Sequence, residues 1–186
     1  MRLFACALPW LGAACSSAYE GQSTTLMGPT LHDFDKVVEN LDYSCGNLEC
    51  HGTLGRNLRL VGDQGRRLDP KDIPCGRPTT PAEVEADYRS LVGLEPESMS
   101  DVVAARGAEP ERLTLVRKAR GTENHKGGAV FRDSTDMTAC LDAWKDDRLC
   151  TAACYADRCL ISWLAGKVDV PACGDNSLPE TRCNRR

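Results

Sequence analysis

Cys45-Gly46-Asn47-Leu48-Glu49-Cys50-His51 is the stretch on which the reading of this chain turns. Two cysteines followed at once by a histidine form the signature of covalent haem attachment. Each thiol can add to one vinyl group of the ring, and the neighbouring histidine is then held beneath the iron as an axial ligand. The usual spacing places two residues between the cysteines; here there are four. Two other readings stand beside it: a disulfide pair with an incidental histidine, and a zinc site.

The 186 residues leave room for one domain with a short appendage. A formal net charge of -4, spread along the chain without blocks, gives no sign of a nucleic-acid partner. Eleven cysteines in so short a chain point to an oxidising compartment. Aromatic residues make up only 5%, and Phe4 and Trp10 fall in a segment expected to be removed. A core so poor in large rings is easier to build if a bulky apolar cofactor fills its centre.

That segment, residues 1–14, reads as a signal peptide. Arg2 supplies positive charge, and Leu3 to Ala14 is an apolar run of about a dozen residues, too short to span a bilayer. It ends in Leu11-Gly12-Ala13-Ala14-Cys15. Small residues before a cysteine resemble a bacterial lipobox with its leucine one place early, so Cys15 is the expected lipidation site; plain secretion is the alternative. Either outcome exports the chain, to the periplasm or the outer membrane. The lipid would anchor a soluble domain to a membrane surface without threading it through. Residues 15–30 are small and polar, and read as a flexible lipidated tether.

A helix is expected from Leu31, with Thr30 as N-cap and Asp33 at its third position. Leu31, Phe34, Val37, Val38 and Leu41 recur at helical spacing and end just before Cys45. From His51 to Leu68, glycines interrupt alternating leucines, which predicts a looped ribbon with at most short extended pieces. Its leucines could wall a porphyrin edge, and Arg56 or Arg59 could meet a propionate, since a guanidinium donates two parallel hydrogen bonds. Thr80-Pro81-Ala82-Glu83 is a capping box opening a helix that runs to Gly93. Further helices are expected from Pro96 to Gly107 and from Pro110 through the cationic end Arg117, Lys118 and Arg120. That end is either a solvated face or a landing patch for an acidic redox partner.

Three histidines are present. His32 lies off the apolar stripe and reads as solvated. His125 sits in Gly121-Thr122-Glu123-Asn124-His125-Lys126-Gly127-Gly128, where glycine allows close backbone approach to a flat ring. His125 is therefore the candidate sixth iron ligand opposite His51, with Met99 and Met137 as rivals. If both histidines serve one iron, they must face each other across a slot wide enough for a porphyrin.

The last third carries a weak echo: Cys140-Leu141-x-x-Trp144 and Cys159-Leu160-x-x-Trp163. Setting aside Cys6 and Cys15 leaves nine cysteines, and assigning Cys45 and Cys50 to haem leaves seven, an odd number. Bridges are expected among Cys140, Cys150, Cys154, Cys159 and Cys173, though spacing does not fix them. A Cys159–Cys173 bridge would close a loop of about fourteen residues, worth around 3 kcal/mol. Residues 174–186 read as a flexible tail.

Taken together, Cys45-x4-Cys50-His51-Gly52, the following Gly-Arg-Asn-Leu-Arg-Leu run, His125-x-Gly-Gly and Cys159-Leu-x-x-Trp-Leu-x-Gly resemble small exported cytochrome c-type lipoproteins of deltaproteobacteria such as myxobacteria. The resemblance implies an all-α, cytochrome c-like helical domain over residues 31–173, with long loops, centred on haem c and supported by disulfides. It also implies an N-terminal helix packed across a C-terminal one. The function expected is one-electron transfer in the cell envelope with an unidentified redox partner; the alternative is a haem-free, disulfide-stapled binding module. No catalytic constellation stands out, so no enzyme is expected.

Overall fold

A computed structural model describes residues 25–144 and 148–167. The expected signal peptide, Cys15, Cys173 and the 174–186 tail lie outside the described residues. Among those described, the structure is helical with no strands. No helix among them is long and apolar enough to cross a membrane.

The first helix, α1 (Phe34–Cys45), is preceded by a 3-10 turn over Leu31–Asp33. The tighter winding of that turn rotates Leu31 off the apolar stripe, leaving it 42% exposed. Thr30 does not cap the helix; its hydroxyl donates to the Asp33 carboxylate at 3.0 Å. Phe34, Val37, Val38, Leu41 and Cys45 then fall on one buried face.

Thr80 and Glu83 form the expected reciprocal capping box at the head of α2 (Pro81–Val92). The helix α3 (Pro96–Ala104) stops before Gly107, because Arg106 already turns left-handed at φ 53°. Pro110 opens only a 3-10 turn to Arg112. Extended Leu113 separates it from α4 (Thr114–Arg120), which Gly121 closes at φ 74°. Glu95 accepts from the Thr114 N–H and hydroxyl at 2.7 and 2.8 Å, placing negative charge at the start of α4. The chain ends its described course with α5 (Met137–Trp144) and α6 (Arg148–Leu164).

Packing centres on α1, which lies against α2 and α6. Phe34 meets Trp163 at 5.0 Å and Tyr88 at 5.6 Å between ring centres, so three elements share one aromatic cluster. The residues expected as the end of a free tether are bonded to this cluster and its surroundings. Trp163 donates to the Thr30 carbonyl, Tyr88 to the Pro29 carbonyl, and the Met27 N–H donates to Ser100. Buried ring donors need acceptors, and an extended segment with unpaired carbonyls supplies them.

Cys140 and Cys154 form a disulfide between α5 and α6. Cys154 thus pairs across helices, and the bridge closes a separation of 14 residues, worth about 3 kcal/mol by chain entropy. Cys75 and Cys159 each take part in a disulfide as well.

Candidate cofactor site

Between α1 and α2 the chain from 46 to 80 forms neither helix nor strand, and its order comes from turns and side chains. The Asn47 side chain accepts from the Glu49 and Cys50 N–H groups, and the His51 N–H donates to the Cys45 carbonyl at 3.0 Å. Backbones pass so closely that a Cβ at Gly52 would stand 1.8 Å from the Gly46 carbonyl oxygen, and one at Gly65 2.2 Å. Glycine at both positions is a steric requirement.

The ribbon is tied down from beneath by buried charge. Arg67 and Glu83 pair in a two-pronged contact at 2.9 and 2.8 Å, both side chains 1% exposed. Arg67 also donates to the Arg77 and Pro78 carbonyls, and Glu83 accepts from the Thr80 and Leu68 N–H groups. Burial pushes the Glu83 carboxyl up, but Arg67 and the two backbone donors outweigh it and hold it at about 2.

The same ribbon borders a cavity of about 510 Å3, within the ~300–1,000 Å3 range of ligand pockets. Cys45 and His51 form part of its wall, and His125 another part. The two imidazole rings lie 5.9 Å apart between centres, with planes inclined by 22°. His51 Nδ1 is 2.9 Å from the Leu58 carbonyl, and His125 Nδ1 is 3.2 Å from that of Gly128. A carbonyl can only accept, so each Nδ1 carries a proton. Burial, assisted by the neighbouring His125 and Arg56, holds His51 below the usual histidine range against the opposing pull of the Leu58 carbonyl. His51 is therefore a neutral imidazole near pH 7, the form that binds metals.

Arg56 lines the cavity and is tethered by its guanidinium to the Cys50 and Glu49 carbonyls. Arg59 is exposed and outside the wall; its N–H donates to Ser90. Leu58 belongs to the wall, whereas Leu60 is buried in the core. Met99 is buried in the core and does not line the cavity, and the side chain of Met137 is outside the described residues. His32 has a side chain 92% exposed, as expected. Cys50 is half-buried beside the cavity, not in its wall.

Cys45 and Cys50 are both free thiols, so the local disulfide reading is not what the structure contains. Burial pushes the Cys45 thiol up to about 12. Among the described residues no cluster of three or more His, Cys, Asp or Glu side chains is arranged to hold a metal ion, and structural zinc needs four ligands.

The sequence assigned none of the other wall residues to the cavity. Leu94, Leu115, Ala119 and Val130 supply apolar surface, and Asn57, Thr114 and Lys118 supply polar groups. The cationic end of α4 is partly paired with acidic side chains. Arg117 and Lys118 pair with Glu123, and Arg120 pairs with Asp157. A Cβ at Gly127 would lie 3.1 Å from His125 Cε1, so the glycine leaves room for the imidazole. Comparison with family models, curated proteins and solved structures finds no match.

Proposed function

We propose that this chain is a c-type cytochrome that carries single electrons in the bacterial cell envelope. The observation that carries this reading is the pair of imidazoles on one cavity wall, 5.9 Å apart, each with Nδ1 engaged by a carbonyl. One metal ion gripped by two imidazole nitrogens at about 2 Å each sets ring centres roughly 6 Å apart. A carbonyl on the far nitrogen is also the usual support for a metal-binding histidine, fixing its tautomer and raising its basicity.

The donor set fits haem c better than a bare ion. Cys45 brings sulfur to the wall as a free thiol, and Cys50 waits on the adjoining turn. Leu58, Leu94, Leu115 and Val130 suit a porphyrin face, while Arg56 and Lys118 suit its carboxylates. Haem bound here would supply a one-electron iron couple whose potential is tuned by ligands, burial and hydrogen bonds. If His51 and His125 both held the iron, it would offer no open position to a substrate, and one-electron transfer would be its chemistry. Export and lipidation at Cys15 belong to the same reading and rest on the sequence.

The test is expression with a haem-attachment system. Thioether-bound haem gives a Soret band that survives acid-acetone extraction and a matching mass increment. His125→Ala should then turn a low-spin six-coordinate spectrum into a high-spin one. A colourless, normally folded product would overturn the proposal and favour a haem-free envelope module.

A further inference from the structure

Two buried carboxylates beneath the cavity loop have no part in the site as described so far. Asp42, on α1 one turn before Cys45, is 2% exposed. Its Oδ2 accepts from the Thr79 hydroxyl at 2.8 Å, and its Oδ1 has no partner. Asp87, on α2, is fully buried; its Oδ1 accepts from the Val61 N–H at 2.6 Å, and its Oδ2 has no partner. Val61 follows Leu60, whose own N–H donates to the His51 carbonyl at 2.9 Å. The backbone packs tightly over Asp42: a Cβ at Gly62 would stand 2.2 Å from its Oδ2, and one at Gly46 3.0 Å from its Oδ1.

An unpaired buried carboxylate oxygen is costly when charged, and a bound proton removes the cost. The surrounding charges do not neutralise the pair. Asp42 faces Asp63 and Glu83, with Arg67 opposing them; it also acts on Cys45. Arg67 is already engaged by Glu83 and two carbonyls. Asp87 faces Asp42 and Glu83, with exposed Arg59 opposing them.

We propose that Asp42 and Asp87 form a proton-binding pair that takes up a proton as the cofactor site above gains an electron and releases it as the electron leaves. This inference rests on the haem reading. In the step, Asp42 Oδ1 or Asp87 Oδ2 forms an O–H bond to a proton drawn from water. The electron comes from a one-electron donor, a partner redox protein or an electrode, and the two added charges cancel. Burial raises Asp42 to about 7 and Asp87 to about 8, so the pair exchanges protons near neutral pH.

The test is spectroelectrochemical titration of the matured, haem-loaded full chain against pH. The midpoint potential should fall as pH rises across the interval around 7 to 8. Asp42→Asn and Asp87→Asn should each weaken that slope, and the double variant should abolish it. Thr79→Val keeps the carboxyl but removes its donor, so it should move the interval to higher pH. Redox-induced infrared difference spectra should show a protonated carboxyl band appearing on reduction and lost in Asp87→Asn. A pH-independent wild-type potential, or a slope unchanged in both Asp→Asn variants, overturns this inference while leaving the cytochrome reading intact. If the Asn variants do not fold, an interval unmoved by Thr79→Val overturns it. Absence of covalent haem overturns both.

Discussion

Replacing Arg67 by Met removes the charge that holds the 46–80 ribbon against α2. Four donated hydrogen bonds disappear: two to the Glu83 carboxylate and one each to the Arg77 and Pro78 carbonyls. Glu83 keeps its Thr80 and Leu68 donors but becomes a buried anion without a cation. Its carboxyl sits at about 2 in the fold against an ordinary 4.5. A gap of that size corresponds to about 3 kcal/mol, and breaking a buried pair by removing one partner costs ~3–5 kcal/mol. The two figures agree in order of magnitude. Thermal unfolding followed by far-ultraviolet circular dichroism should show the melting temperature of Arg67→Met falling by roughly 10 °C or more. The pH dependence has a definite sign. Because the folded value lies below the unfolded one, the contribution is present above about 4.5 and is lost as pH falls through about 2. Arg67→Met should bring acid unfolding to a higher pH. Arg67→Met with Glu83→Leu should recover much of the loss, since an apolar pair of similar volume removes both buried charges. A loss below about 1 kcal/mol in the single variant, with the acid limb unmoved, would refute the claim that this ion pair clamps the ribbon.

Cys140→Ser with Cys154→Ser should cost about 3 kcal/mol in guanidinium unfolding, the chain-entropy value for this loop, if α5 and α6 gain nothing in exchange. Asp42 and Asp87 have folded values raised above the ordinary 3.8, so their stabilisation is full below about pH 4 and is lost as pH rises through about 7 and 8. Asp87→Asn should therefore flatten the fall in wild-type stability between about pH 5 and pH 9, and parallel curves would contradict it. Arg120→Met should cost roughly 3–5 kcal/mol, because it strands Asp157 as a fully buried anion; urea unfolding at neutral pH measures it.

The helices were legible because their signals are local. The stripe from Phe34 to Leu41 and the Thr80–Glu83 box each act within about one or two turns of chain. Cys45, His51, Arg56 and His125 could be named for the site because motif and residue type suffice to propose them. Arg59 could not be separated from Arg56 by pattern, since which of the two reaches the cavity depends on how the ribbon folds back. The long-range pairs were invisible for a similar reason. Arg67 and Glu83 are 16 residues apart, Arg120 and Asp157 are 37 apart, and neither member carries a mark of its partner. Glu83 was readable only as a cap, although the same carboxylate also holds the ion pair. Asp42 did leave a trace: it follows Val38 by four places and so lies on the apolar face of α1.

The two histidines reach one cavity through separate supports. His51 is held by the Cys45 carbonyl at the end of α1, by the Leu60 N–H and by the Leu58 carbonyl. The His125 loop is closed by Val130 and Phe131, whose N–H groups both donate to the Ala119 carbonyl. Farther along, Ser134 and Arg120 both bind the Asp157 carboxylate, fastening the loop and α4 to α6. Polar clamps of this kind hold position without filling volume, so each loop can be ordered while the space between the rings stays open. An apolar collapse would have closed that space, because the same wall residues, Leu58, Leu94, Leu115 and Val130, would bury area against one another. The buried ion pairs of this chain, a costly way to stabilise a fold, fasten the two segments that carry the imidazoles, whose ring centres lie 5.9 Å apart.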